Sequence, residues 1–62
     1  MNAISEFVPY ADRAGKWRWR LVDSNGRIIA DSGQGYSSRY NCERAIDNVK
    51  REAPRARVAV SR

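Results

Sequence analysis

The chain has 62 residues, which is room for one domain, 1–62, and no more. Twelve Lys and Arg against seven Asp and Glu give a net charge of +5, with no His, one Cys and 42% hydrophobic residues. That mixture suits a folded chain, while the lone Cys excludes an internal disulfide framework or Cys-rich metal site and the missing His removes the commonest general base and metal ligand.

No apolar run approaches the roughly 18 residues of a membrane span. The opening Met1-Asn2-Ala3-Ile4-Ser5-Glu6 has no signal-peptide pattern, so a cytoplasmic protein without membrane contact is expected. A domain this small buries only about 60% of its unfolded surface. Without disulfide or metal, regular packing or self-association is expected to make up the difference. Ten of the twelve basic residues are Arg, whose planar fork suits carboxylates and phosphates alike.

The first predicted strand is Phe7-Val8-Pro9-Tyr10-Ala11-Asp12. Arg13-Ala14-Gly15 then fits a three-residue loop with a left-handed glycine, which sets Asp12 opposite Lys16, Pro9 opposite Trp19 and Phe7 opposite Leu21. Pro9 lacks an N–H, which places this strand at an edge. The clearest strand follows, Lys16-Trp17-Arg18-Trp19-Arg20-Leu21-Val22. Apolar Trp17, Trp19 and Leu21 alternate with basic residues, so period two puts the two sets on opposite faces.

Asn25-Gly26 then predicts a two-residue type I′ hairpin into Arg27-Ile28-Ile29-Ala30. That register sets Ser24 opposite Arg27, Val22 opposite Ile29, Leu21 opposite Ala30 and Arg20 opposite Asp31, the last as a cross-strand ion pair. The core face would carry Phe7, Pro9, Trp17, Trp19, Leu21, Ile28 and Ala30. Ser32-Gly33-Gln34-Gly35-Tyr36-Ser37-Ser38 reads as a loop, with Ser37 or Ser38 as helix cap. Residues 39–52 read as a helix with one apolar stripe, Cys42, Ala45, Ile46 and Val49, and with Asp47 placed to pair with Lys50 or Arg51. Pro54 stops it near Glu52. Arg57-Val58-Ala59-Val60-Ser61 reads as a last short strand, with Val58 and Val60 on one face. The fold class is therefore α+β: a β-β-β-α-β unit, an antiparallel sheet with one helix packed on one face.

These segments, from Asp12-Arg13-Ala14-Gly15-Lys16-Trp17-Arg18-Trp19-Arg20-Leu21 through Asn25-Gly26-Arg27-Ile28-Ile29-Ala30 and Gly35-Tyr36-Ser37-Ser38 to Cys42, Ile46 and Val49-Lys50, resemble the YegP-like family of small uncharacterised proteins. The likeness covers about residues 7–53. Pro9 and the longer Gly33-Gln34-Gly35 loop depart from the family pattern. The resemblance implies a homodimer with a shared sheet and exchanged C-terminal strands, and it brings no activity or catalytic residue. The residues that would form the core and the dimer are Trp17, Trp19, Leu21, Ile46, Val49, Val58 and Val60. The indole-bearing face is expected to need a second copy of the chain to shield it.

Candidate sites are few. Arg18, Arg20 and Arg27, with Tyr10 beside them, can form a weak, sequence-nonspecific nucleic-acid or polyanion surface, with Arg on phosphate and Tyr stacked on a base. A solvated face with ion pairs is the favoured reading, since +5 is modest for a nucleic-acid domain, although the pI near 10.2 leaves the other open. The Gly33–Gly35 loop before a helix, with Arg39, matches no phosphate-loop spacing. Cys42 sits in the apolar stripe without a His to activate it. Trp17 and Trp19 suit a core rather than a ligand pocket. The scattered carboxylates form no acid–base couple. No catalytic, cofactor or metal site is assigned. The expected function is non-enzymatic: a homodimeric interaction or accessory module, whose partners are itself and a further protein.

Overall fold

Two turns of one design shape the sheet. In the computed structural model, which describes residues 4–60, Asp12 N donates to Lys16 O (2.8 Å) and Gly15 N to Asp12 O (3.0 Å). The Asp12 carboxylate accepts from the backbone N–H groups of Ala14 and Lys16, both at 2.9 Å. Asp23 repeats each bond with Arg27, Gly26 and Asn25. Gly15 and Gly26 close the two loops with φ of 81° and 85°, the left-handed region that only glycine enters without strain.

The first loop is as expected, and β1 (Glu6–Ala11) pairs antiparallel with β2 (Trp17–Val22) in the expected register, including Phe7 opposite Leu21 and Pro9 opposite Trp19. The second loop is not type I′. Among the described residues no non-glycine has a positive φ, so Asn25 cannot take that turn, and Asp23 imposes the three-residue loop instead. Asp23 therefore faces Arg27, in place of Ser24. Val22 pairs with Ile28, not Ile29. An irregularity between Leu21 and Val22 then restores Leu21 opposite Ala30 and Arg20 opposite Asp31 along β3 (Ile28–Asp31). Ile28 accordingly shares the face of Val22, away from the helix, and is 57% exposed rather than part of the core.

Beyond β3 the chain stays against β2. Ser32 N donates to Trp19 O, and Tyr36 and Trp17 exchange two backbone hydrogen bonds (2.8 and 2.7 Å). Gly35 makes that approach feasible: a Cβ there would stand 2.6 Å from Lys16 Cβ. Ser38 caps α1 (Arg39–Glu52), its hydroxyl accepting from Asn41 N at 3.1 Å. The helix ends as expected, and a short 3-10 turn, Ala53–Arg55, carries Pro54. Asp47 does not pair with Lys50 or Arg51. Arg51 donates to Asn48 Oδ1 and lies 3.8 Å from Glu52.

The helix packs on β1 and β2 and not on β3. Trp19, Cys42 and Ile46 are buried, with Phe7, Trp17, Leu21, Tyr36 and Val49 packed around them. Phe7 meets the Trp19 ring edge-on, 5.3 Å between centroids. A single chain thus keeps Trp19 dry, against the expectation that its shielding needs a second copy; Trp17 is half-buried beneath the Arg39 guanidinium, 5.4 Å from its ring. The expected C-terminal strand does not form. Residues 56–60 have no regular structure, and Val58 and Val60 are 98% and 93% exposed, so neither joins the core. A strand exists only as part of a ladder, and no other described segment pairs with this one. Ser61 lies outside the described residues, as do Met1, Asn2 and Ala3. No described helix is long and apolar enough to cross a membrane.

Gly35→Ala pushes a methyl into the Lys16 Cβ and should destabilise the fold by about 1–3 kcal/mol. Thermal unfolding by circular dichroism measures it; an unchanged midpoint would mean that the Trp17–Tyr36 pairing tolerates a wider gap.

Candidate interaction surfaces

The strand alternation places Tyr10, Arg18 and Arg20 together on the sheet face that the helix leaves open, as the sequence indicates. Their charges are largely committed. Arg18 Nε donates to Asp12 Oδ2 at 2.6 Å. Arg27, in the second turn, reaches Asp23 Oδ2 at 3.1 Å. Arg20 stands opposite Asp31 in register but forms no ion pair with a described residue; its guanidinium lies 4.3 Å from the centroid of the Tyr10 ring. Of the side chains proposed for a polyanion surface, Tyr10, Arg18 and Arg20 are therefore neighbours while Arg27 stands apart in the second turn, and two of the three cations already have carboxylate partners.

Those contacts shift the carboxylates. The Arg18 hydrogen bond, helped by the Lys16 N–H, holds Asp12 below the usual carboxylate range. The Arg27 and Asn25 N–H groups, with the Arg27 side chain, do the same for Asp23. Asp12 and Asp23 are the turn-forming residues that composition and charge counting miss. Their signal is an Asp-x-x-Gly-basic spacing that occurs twice, at 12–16 and 23–27.

The loop before the helix does not make a free phosphate cradle. Arg39 is bonded to Glu43 (2.9 Å), and the Ser37 and Ser38 hydroxyls are taken by the Asn41 side chain and backbone. Cys42 is fully buried, and burial pushes its thiol up, which opposes a nucleophilic role. The Trp19 indole N–H is shielded without an acceptor. A groove of about 710 Å³ runs between β1 and α1, floored by Phe7, Pro9, Leu21 and Ile46.

The two sheet edges differ. Asp12 N bonds Lys16 O, so by antiparallel alternation residues 7, 9 and 11 turn their backbone groups outward from β1. Pro9 occupies the middle of that edge and has no N–H to offer. On β3 the same alternation turns Ile29 and Asp31 outward, and no described residue covers them.

This turn-and-helix arrangement recurs elsewhere. The model of a domain of unknown function, DUF1508, matches residues 12–59. The chain belongs to this family. It comprises the YegP-like, UPF0339 proteins, so the resemblance drawn from the sequence holds. A UPF0339 protein of Methanosarcina acetivorans is 49% identical over 57 residues, 92% of this chain and 97% of its own length. The solution structure of a protein from Haloferax volcanii has a TM-score of 0.86 at 48% identity, covering 98% of this chain and all of that one. A UPF0339 protein of Stutzerimonas stutzeri is 40% identical over 48 residues, 77% of this chain but only 42% of its own length. The DUF1508 unit is thus also found as part of a chain long enough to hold a second one.

Depressed carboxylates stabilise the fold above their unfolded values, and that stability is lost as pH falls through the lowered folded values. With no His in the chain, the unfolding midpoint should stay level between about pH 5 and 8 and drop below about pH 4. The Asp12→Asn, Asp23→Asn double variant should start lower and lose much of that acid slope. An identical slope in the variant would show that other carboxylates govern it.

Proposed function

We propose that the chain is a non-enzymatic interaction module that works as a homodimer, each copy laying residues 57–60 along the β3 edge of its twin. The observation that carries this reading is a segment without regular structure whose Val58 and Val60 stand almost wholly in water, in a chain whose β3 edge is bare among the described residues and flanked by exposed Ile28 and Ile29. Valines two apart in an extended strand fall on one face. Each contributes about 1.5–3 kcal/mol if fully buried. The edge across the sheet is a poorer acceptor because of Pro9. The Stutzerimonas stutzeri relative is compatible with the same reading, since its length leaves room for a second unit, and two units in one chain could do what two copies do.

The non-enzymatic part rests on the residue set. The chain has no His, and its one thiol is buried with a raised pKa. The open sheet face supports polyanion binding less well than assembly, because Asp12 and Asp23 already neutralise Arg18 and Arg27.

Light scattering at micromolar concentration should give twice the mass of one chain, and deletion of residues 57–62 or Val58→Asp with Val60→Asp should give a monomer. Ile29→Pro, which removes an outward N–H from β3, should do the same while circular dichroism keeps the helix signal. A folded wild-type monomer, or a dimer indifferent to these changes, would sink the assembly.

A further inference from the structure

The basic residues of the helix are not all committed. α1 holds four of them, Arg39, Arg44, Lys50 and Arg51, against three acidic ones, and Arg55 and Arg57 follow it. An α-helix advances about 100° per residue, which divides α1 into three sectors. Cys42, Ile46 and Val49 face the sheet. Arg39, Glu43, Asp47 and Lys50 form a mixed-charge sector beside the β1 groove. Asn41, Arg44, Asn48 and Arg51 form the third, a row at i, i+3, i+7 and i+10 within an arc of about 80°. All four are exposed.

That row lines a groove of about 770 Å³ whose far wall is Gly35, Tyr36 and Ser37, with Asp47 at its margin. Arg44 has no carboxylate partner among the described residues. Its guanidinium instead lies 5.9 Å from the centroid of the Tyr40 ring, which leaves its N–H donors uncommitted. Arg51 donates to Asn48 Oδ1 and forms a long, exposed ion pair with Glu52 at 3.8 Å, which solvent screens. Arg44 and Arg51 stand two turns apart, about 10 Å. Tyr40, on the flank of the row, is 66% exposed.

We propose that this row binds single-stranded nucleic acid without sequence preference. The chemistry matches each part of such a strand. Guanidinium and amide N–H groups donate to phosphate oxygens. An exposed tyrosine braced by an arginine offers a stacking face that accepts any unpaired base. An acidic peptide would use the charges but leave Tyr40 idle. A membrane would require an apolar sector beside the bases, and this one carries amides.

Fluorescence anisotropy with a labelled oligodeoxythymidylate of about 20 nucleotides is the test. The wild-type chain should bind at low salt, prefer the single strand to a duplex of equal length, and weaken steeply as salt rises. Arg44→Gln with Arg51→Gln should weaken binding at least tenfold and lower the log–log salt slope by about 1.4 per subunit, about 0.7 for each phosphate no longer neutralised. Tyr40→Ala should weaken it about fivefold or more, consistent with one base left unstacked. Arg13→Gln with Arg20→Gln removes equal charge elsewhere and should change affinity less than twofold. The proposal is overturned if no binding occurs at low salt, if the two double variants weaken binding equally, if polyglutamate binds the row as well as the oligonucleotide does, or if Arg44→Gln with Arg51→Gln changes the molecular mass and so marks the row as a subunit interface.

Discussion

One helix serves three strands, and it stands over two of them, β1 and β2. Trp19, at the centre of β2, is where that cover is best: Cys42 and Ile46 press on it from above and Phe7 closes it from the β1 side. Every buried side chain of the described residues belongs to this cluster. Ala30 points the same way from β3 yet remains in water, because no helix stands over it. The bareness of β3 thus follows from where the helix stands rather than from residues 28–31 themselves.

The twin turns set the register of the strands on either side of β2. Each uses an Asp carboxylate to gather two backbone N–H groups and a glycine to reverse the chain. In the first, the Asp also captures Arg18 and so ties the turn to the outer sheet face. In the second, it captures the turn's own Arg27, and the resulting register moves Ile28 to that outer face. β3 is left with isoleucines in water and an unpaired edge, while β1 is closed to further strands by Pro9. The asymmetry leaves β3 as the better acceptor of a further strand, which is the edge the proposed pairing of Arg57–Val60 would use.

What the sequence discloses follows the range of the forces involved. The alternation of residues 16–22, the Gly15 loop and the helix over 39–52 are local, and the structure repeats them almost residue for residue. The second turn is also local but ambiguous, because Asn25-Gly26 and Asp23-x-x-Gly26 ask for different loops; the carboxylate, which satisfies two N–H groups at once, prevails over the Asn-Gly preference. The C-terminal strand illustrates the opposite limit. Val58 and Val60 carry strand propensity, but a strand's free energy resides in its neighbour, and a single chain supplies none among its described residues. The shielding of Trp19 is illegible for the same reason, since it depends on how far Phe7 and Ile46 reach across the sheet.

The distribution of arginine obeys the same distinction. Arg18 on the sheet and Arg27 in the second turn stand beside carboxylates that already shape the backbone, so their charge goes into holding Asp12 and Asp23 in position. Arg39 pairs with Glu43 and lies over Trp17, which again fixes the helix to the sheet. Arg44 over Tyr40, like Arg20 over Tyr10, differs from these: each lies against an aromatic ring, and an aromatic face leaves the cation's charge and its in-plane donors intact. Composition counts all ten arginines alike. Only the partner of each one separates those that build the fold from those that remain able to meet something outside it.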